Sequence, residues 1–254
     1  MKSLKIKNLL GIILILVSML WANSAYGAIQ LPSVNIGVGS VTTPQEFSQG
    51  VQILILLTVL TLAPSIVIMT TAFIRIVIVL SLTRQAVGTP ALPPNQVLIG
   101  LALILTFFVM SPTITKINET AYQPYMKNVI TQEQAIDNAI KPMRDFMFKQ
   151  TNEQELGLFV KLAKINKPKN KEDVPTYVLI PSFILSELKT AFKIGFVIFL
   201  PFLVIDLVVA SVLVSMGMMF LPPTTIAMPF KLIMFVMVDG WYLITKSLIE
   251  GFMT

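Results

Sequence analysis

The chain has 254 residues, 55% of them hydrophobic and 13% charged, with a formal net charge of +6 and a mean hydropathy of +0.79. These values lie far from soluble-protein averages and put the chain in the membrane class. Lys and Arg are interspersed with acids or sit near apolar segments, without a basic stripe carrying interleaved aromatics, so no nucleic-acid partner is expected. Cysteine and histidine are both absent. That removes disulfides, thiolate metal sites, the commonest general base and the Ser-His-Asp arrangement. Only carboxylate or lysine chemistry is left, and neither a metal, a cofactor nor an enzymatic role is expected.

In chain order, Lys2, Lys5 and Lys7 precede an apolar stretch from Leu9 to Leu20, and Ala25-Tyr26-Gly27 then precedes Ala28. This is the pattern of a secretory signal peptide over residues 1–27. Its apolar stretch is shorter than the ~20 residues that span a bilayer, which argues against a first membrane helix. Residues 28–50 contain Pro32, Gly37, Gly39 and Pro44, and are expected to form an extracytoplasmic leader, extended to about Phe47. Residues 51–115 form a first hydrophobic helical hairpin. Its first arm, Val51 to Leu82, carries Arg75 as a lone charge and Pro64 as an expected kink. A connector with Pro90, Pro93 and Pro94 leads to the second arm, Val97 to Thr115.

Residues 116–177 have the charge density of a soluble protein and form a small helical extracytoplasmic domain. Thr131-Gln-Glu-Gln134 is a capping-box pattern, and Ile136, Ile140, Met143 and Met147 continue at helical spacing through Pro142. Asn152-Glu-Gln-Glu155 opens a second helix with Leu156, Phe159 and Ala163 on one face, and Lys167 to Asp173 is a solvated loop. Such a domain is too small to bury a sizeable core alone. Residues 178–254 form the second hydrophobic hairpin, with apolar arms at about Leu188 to Val214 and Ile226 to Ile249, and Pro201 breaking the former. The expected fold is an all-α membrane protein of two long kinked hairpins, four hydrophobic segments in all, with the small domain between them.

The signal peptide places that domain outside, whereas counting Lys and Arg would place it inside. The positive-inside rule governs short loops and span ends, so the signal peptide decides.

The arms of the second hairpin meet at Ser215 to Pro223. Gly217, Pro222 and Pro223 are helix breakers, and Met216, Met218 and Met219 crowd around them with Phe220. Methionine is flexible and polarizable, and fits itself to irregular partners. On the residues alone, these thioethers either fill packing gaps or press against something variable.

Charges also lie in the apolar segments or at their edges: Arg75, Glu187, Lys189, Lys193, Asp206, Lys231, Asp239 and Lys246. Each costs ~2.5 to 3.5 kcal/mol at a bilayer centre unless paired or hydrated. Lys189, Lys231 and Lys246 lie near segment ends and can snorkel. Asp206 and Asp239 could serve a proton-coupled carrier. In an oligomer they would instead pair with Arg75, Lys193 or Lys231 across subunits, and this structural reading is favoured. A carrier usually shows internal repeats, and none relates residues 51–115 to 188–249. An intramembrane hydrolase lacks both a histidine and a Ser-Lys pair.

Several long stretches carry a further signal. These are Ala63-Pro-Ser-Ile-Val-Ile-Met69, Phe73-Ile-Arg-Ile-Val-Ile-Val-Leu-Ser-Leu82, Pro93-Pro-Asn-Gln-Val-Leu-Ile-Gly-Leu-Ala102, Leu188-Lys-Thr-Ala-Phe-Lys-Ile-Gly-Phe196, and Leu200-Pro-Phe-Leu-Val-Ile-Asp-Leu-Val-Val-Ala-Ser-Val-Leu213. Over roughly Val51 to Phe252 the chain closely resembles the FliP/SctR family of type III export-gate subunits. The resemblance implies a pentameric pore-forming core with FliQ-like and FliR-like subunits, working with FlhA-like and FlhB-like components in the inner membrane at the flagellum basal body. Unfolded flagellar proteins would be its substrates, and the homologous injectisome gate is the alternative, which the signal peptide disfavours.

It also implies hairpins that look transmembrane by hydropathy but stand largely above the membrane once assembled. Met216, Met218 and Met219 would line the pore as a gasket. Phe220 stands where members often have a further methionine, and would stiffen the ring. Glu187 and Lys231 would make charge contacts between subunits.

Overall fold

The computed structural model describes residues 44–253, apart from Pro90 and Lys167. The expected signal peptide and most of the leader lie outside the described residues. Two compact units are distinguished, residues 1–55 and Leu56–Thr254. Of the first, only the opening part of helix α1 (Pro44–Met69) is described. Pro44 to Phe47 are therefore helical, where an extended leader is expected from the sequence.

In the second unit, α1 continues through Pro64 to Met69. The chain breaks after it, at Thr70 to Ala72, so Pro64 lies inside a continuous helix and does not end it. The Thr70 hydroxyl donates to the Ile66 carbonyl at 2.9 Å and the Thr71 hydroxyl to that of Ile68 at 3.1 Å. Such local bonds compete with the helical ladder and favour its end. Helix α2 (Phe73–Val87) follows and stops at Gly88, whose φ of 88° suits a residue without a Cβ. Helix α3 (Asn95–Ile117) starts after Pro94 and runs through a π-helical turn, Asn118–Tyr122, into the short α4 (Gln123–Met126).

The domain between the hairpins consists mainly of α5 (Gln132–Gln150) and α6 (Glu153–Leu162). Helix α5 opens with a complete capping box between Thr131 and Gln134 and continues through Pro142. The domain packs against α7 (Thr176–Ser215) rather than around its own core. Arg144 joins the two by donating to the Val174 carbonyl and the Thr176 hydroxyl, both at 2.6 Å.

Helix α7 is 40 residues long, starts well before Leu188 and remains helical through Pro181 and Pro201. Pro201 therefore does not break it. The fourth apolar segment is divided into α8 (Pro223–Met237) and α9 (Gly240–Met253), with a 61° bend between them. Asp239 occupies the left-handed region there at φ 51°, which aspartate tolerates better than most residues. Gly240 lies so close to Phe235 that a Cβ would stand 2.2 Å from its ring.

One buried cluster joins α2, α3, α5, α7 and α9. Ile76, Val79 and Leu80 meet Leu98 and Ala102, Phe146, then Leu179 and Phe183, and finally Leu248 and Phe252. Along α2 the buried positions recur at three- and four-residue intervals, placing one face of that helix on α7 and α3. Gly195 allows the close approach of α7 to α2, since a Cβ there would lie 3.2 Å from the Leu82 Cβ.

Outside this core the helices keep large apolar faces exposed, among them Leu56, Leu60, Phe107, Phe196, Leu207 and Val236. Among the described residues, three stretches are long and apolar enough to cross a membrane, Val51–Met69, Asn95–Met126 and Thr176–Ser215, with a fourth if the bent α8 and α9 count as one span. The chain is an all-α membrane protein.

Candidate functional site

The turn between α7 and α8 is built by a double capping device. Gly217, at φ 74°, donates its N–H to the Val214 carbonyl at 3.0 Å, while the Met218 N–H reaches the Leu213 carbonyl at 2.9 Å. This pair of bonds is a Schellman motif, which satisfies carbonyls that the end of a helix would leave free. Pro222 and Pro223 then open α8, where a missing N–H costs nothing. Between these stops, Met216, Met218, Met219 and Phe220 stand out from the tip, Met219 75% and Phe220 100% exposed. All four residues singled out from the sequence are thus brought together, and none of them fills a packing gap in this chain.

Behind the tip, Lys231 of α8 donates to Asp206 of α7 at 2.6 Å. The lysine is buried and the carboxylate partly so. The other Asp206 oxygen, Oδ1, is buried and accepts no hydrogen bond among the described residues. Phe202 and Phe235 pack with ring centroids 6.3 Å apart on the same side of the hairpin. Lys231 is therefore held by an internal counter-charge and does not snorkel.

A second charge cluster ties the other end of α7 to its neighbours. Arg75 of α2 donates Nε to Glu187 Oε2 at 2.9 Å and Nη2 to the other Glu187 oxygen. Arg75 also donates to Gln150 Oε1 at 2.8 Å and to the Gly251 carbonyl at 3.2 Å, while its guanidinium lies 3.9 Å from the centre of the Phe252 ring. One planar cation thereby joins α2, α5, α7 and α9, using the fork geometry that distinguishes arginine from lysine. Glu187 meets Arg75 and Asp206 meets Lys231, both within one chain.

The remaining charges lie apart from these clusters. Lys193 is exposed on α7, with no hydrogen bond or ion pair among the described residues. Asp239 is exposed at the bend, where its carbonyl accepts from the Leu243 N–H at 3.1 Å. Lys189 reaches Glu155 of α6 at 2.6 Å, and this hydrogen bond holds the Glu155 carboxyl below its ordinary value. Sequence reasoning missed Gln150, Glu155 and Phe252 as partners. Each lies in a different segment from the charge it meets, and only helix packing brings them together.

A match to the FliP family model extends over residues 56–248. The chain belongs to the FliP family. Flagellar biosynthetic protein FliP of Bacillus subtilis strain 168 is 54% identical over 217 residues, covering 85% of this chain and 98% of that protein. The Pectobacterium carotovorum FliP is 53% identical over 219 residues, 84% of this chain and 85% of its own length. The Aquifex aeolicus FliP is 48% identical over 225 residues, 88% of this chain and 92% of its own. Each of these relatives is a flagellar biosynthetic protein. In this FliP family member, the Arg75–Glu187 pair, the Lys231–Asp206 pair and the methionine tip fall within the matched span, and Gly251 and Phe252 lie just beyond it.

Proposed function

We propose that this chain is the core pore-forming subunit of the flagellar type III export gate, passing unfolded flagellar proteins across the inner membrane. The observation that carries this reading is the tip itself. Three thioethers and a fully exposed phenyl ring project from a turn that a Schellman motif closes on the α7 side and Pro222 and Pro223 bound on the α8 side. A ring of such tips from several copies would close on itself when empty and yield to a chain of changing sequence, because methionine adapts its shape without changing backbone. The long exposed apolar faces of α7 and α8 suit contact with further copies and with FliQ-like and FliR-like subunits. In that assembly FlhA-like and FlhB-like components would lie on the cytoplasmic side. The residues call for no catalytic step, and the role is one of transport.

The relatives' flagellar name favours this branch over an injectisome gate. The test is the native mass of the complex extracted in detergent after co-expression with the candidate partner subunits. A particle containing about five copies of this chain is expected. A monomeric or dimeric particle would sink the gate reading and reopen that of a carrier.

A further inference from the structure

Away from the tip, a groove of about 290 Å³ opens where α3, α5 and the end of α9 meet. Its apolar wall includes Phe108, Pro112 and Met253, and its polar rim includes Lys116, Asp145 and Lys149. Two features of the chain give this groove a direction. Ile104, Phe108, Pro112 and Lys116 recur every four residues along α3, so one exposed stripe runs from apolar to cationic as the membrane-length apolar stretch gives way to the polar domain. Asp145 and Lys149 lie one turn apart on α5 and belong to that polar domain. Neither Lys116, Lys149 nor Asp145 has a side-chain hydrogen bond or ion pair among the described residues.

We infer that this groove holds a phospholipid, with its phosphate between Lys116 and Lys149 and an acyl chain along Phe108 and Ile104. Two unpaired ammonium groups against one carboxylate leave the rim net cationic, which suits a phosphodiester, and best one on an anionic lipid. A free phosphate would use the lysines but leave the apolar wall idle. Long lysine stems at the end of an apolar helix naturally reach headgroup level. The inference rests on the membrane fold and concerns the chain while its hairpins lie in the bilayer, before the assembly that on the export-gate reading would stand them above it.

The test uses the full chain, stripped of lipid in detergent and then titrated with micelles doped with phosphatidylglycerol or phosphatidylcholine, with the retained lipid read by native mass. Phosphatidylglycerol should be retained in preference to phosphatidylcholine. The Lys116→Gln/Lys149→Gln variant should lose roughly tenfold or more in affinity for it. Lys116→Arg/Lys149→Arg should keep most of it. Lys127→Gln/Lys161→Gln removes the same charge from exposed positions outside the groove and should bind as the parent does.

Equal retention by the Lys116→Gln/Lys149→Gln variant and the parent overturns the inference, as does equal loss in the Lys127→Gln/Lys161→Gln variant. Inorganic phosphate displacing the lipid at comparable concentration would make this a small-anion site instead. A Lys116→Gln/Lys149→Gln variant that keeps its lipid but changes its copy number would assign the groove to a second copy of the chain.

Discussion

Arg75 on α2 and Glu187 on α7 form a two-pronged ion pair, with side chains only 4% and 0% exposed. The pair also gathers Gln150 and the carbonyl of Gly251, so four helices share one cation. Burying two charges costs desolvation that their attraction only partly offsets, but removing one of them leaves the other uncompensated.

Glu187→Ala should therefore lower the stability of the chain by about 3–5 kcal/mol, measured by thermal unfolding in detergent. Adding Arg75→Met should recover part of the loss, although Gln150 and the Gly251 carbonyl then lose their donor. In cells, export should fall in step with the amount of intact complex. Loss of export at a normal yield of complex would contradict this structural role.

Gly217→Val forces a β-branched residue into the left-handed region. Nothing lies within 4 Å of a Cβ at this position, so the penalty is confined to the backbone. A loss of roughly 1–2 kcal/mol is expected, with Gly217→Asn less harmful. Cleavage between Val214 and Leu221 in limited proteolysis should rise for Val and change little for Asn. Equal susceptibility of both variants would show that the cap does not order the turn.

Replacing Met216, Met218 and Met219 together by alanine removes exposed side chains while keeping the backbone of the turn. Stability should change by less than about 0.5 kcal/mol, and assembly should survive. On the export-gate reading, the closed ring loses contacts and ion leak across the membrane rises. Unchanged leak with unaltered export would reduce these methionines to surface residues.

Acid should loosen α6 from α7 through Glu155. Its carboxyl is held below the ordinary value of 4.5 by the hydrogen bond from Lys189. A depressed native value stabilises the fold above the unfolded value, and that contribution is lost as pH falls through the native one. The difference in unfolding midpoint between the parent and Glu155→Gln should therefore be largest above pH 4.5 and shrink below it. A difference independent of pH would mean that the carboxylate charge plays no part.

The helices themselves were legible in the amino-acid order. Apolar runs of membrane length, the Thr131 capping box and the breakers at Gly217, Pro222 and Pro223 are local signals, and local backbone chemistry acts on them directly. Breaks were harder to place. A proline removes one ladder bond and α7 continues through Pro201, whereas the end of α1 coincides with two adjacent threonines that bond to preceding carbonyls. The bend at Asp239 likewise depends on the close approach of Gly240 to Phe235.

Composition and pattern alone settled that the chain is helical, apolar and without histidine or cysteine chemistry, and that methionines crowd one turn. Tertiary packing decided which charges meet. From the sequence, Asp206 had Arg75, Lys193 and Lys231 of other subunits as candidate partners, and Glu187 and Lys231 were assigned to contacts between subunits only through resemblance. Packing α2 on α7 gave Arg75 to Glu187, and folding α8 back along α7 gave Lys231 to Asp206. Charge attraction is nearly indifferent to sequence separation. Its partners are chosen by which helix faces come within a few ångströms, and that is set by the shapes of the apolar side chains between them.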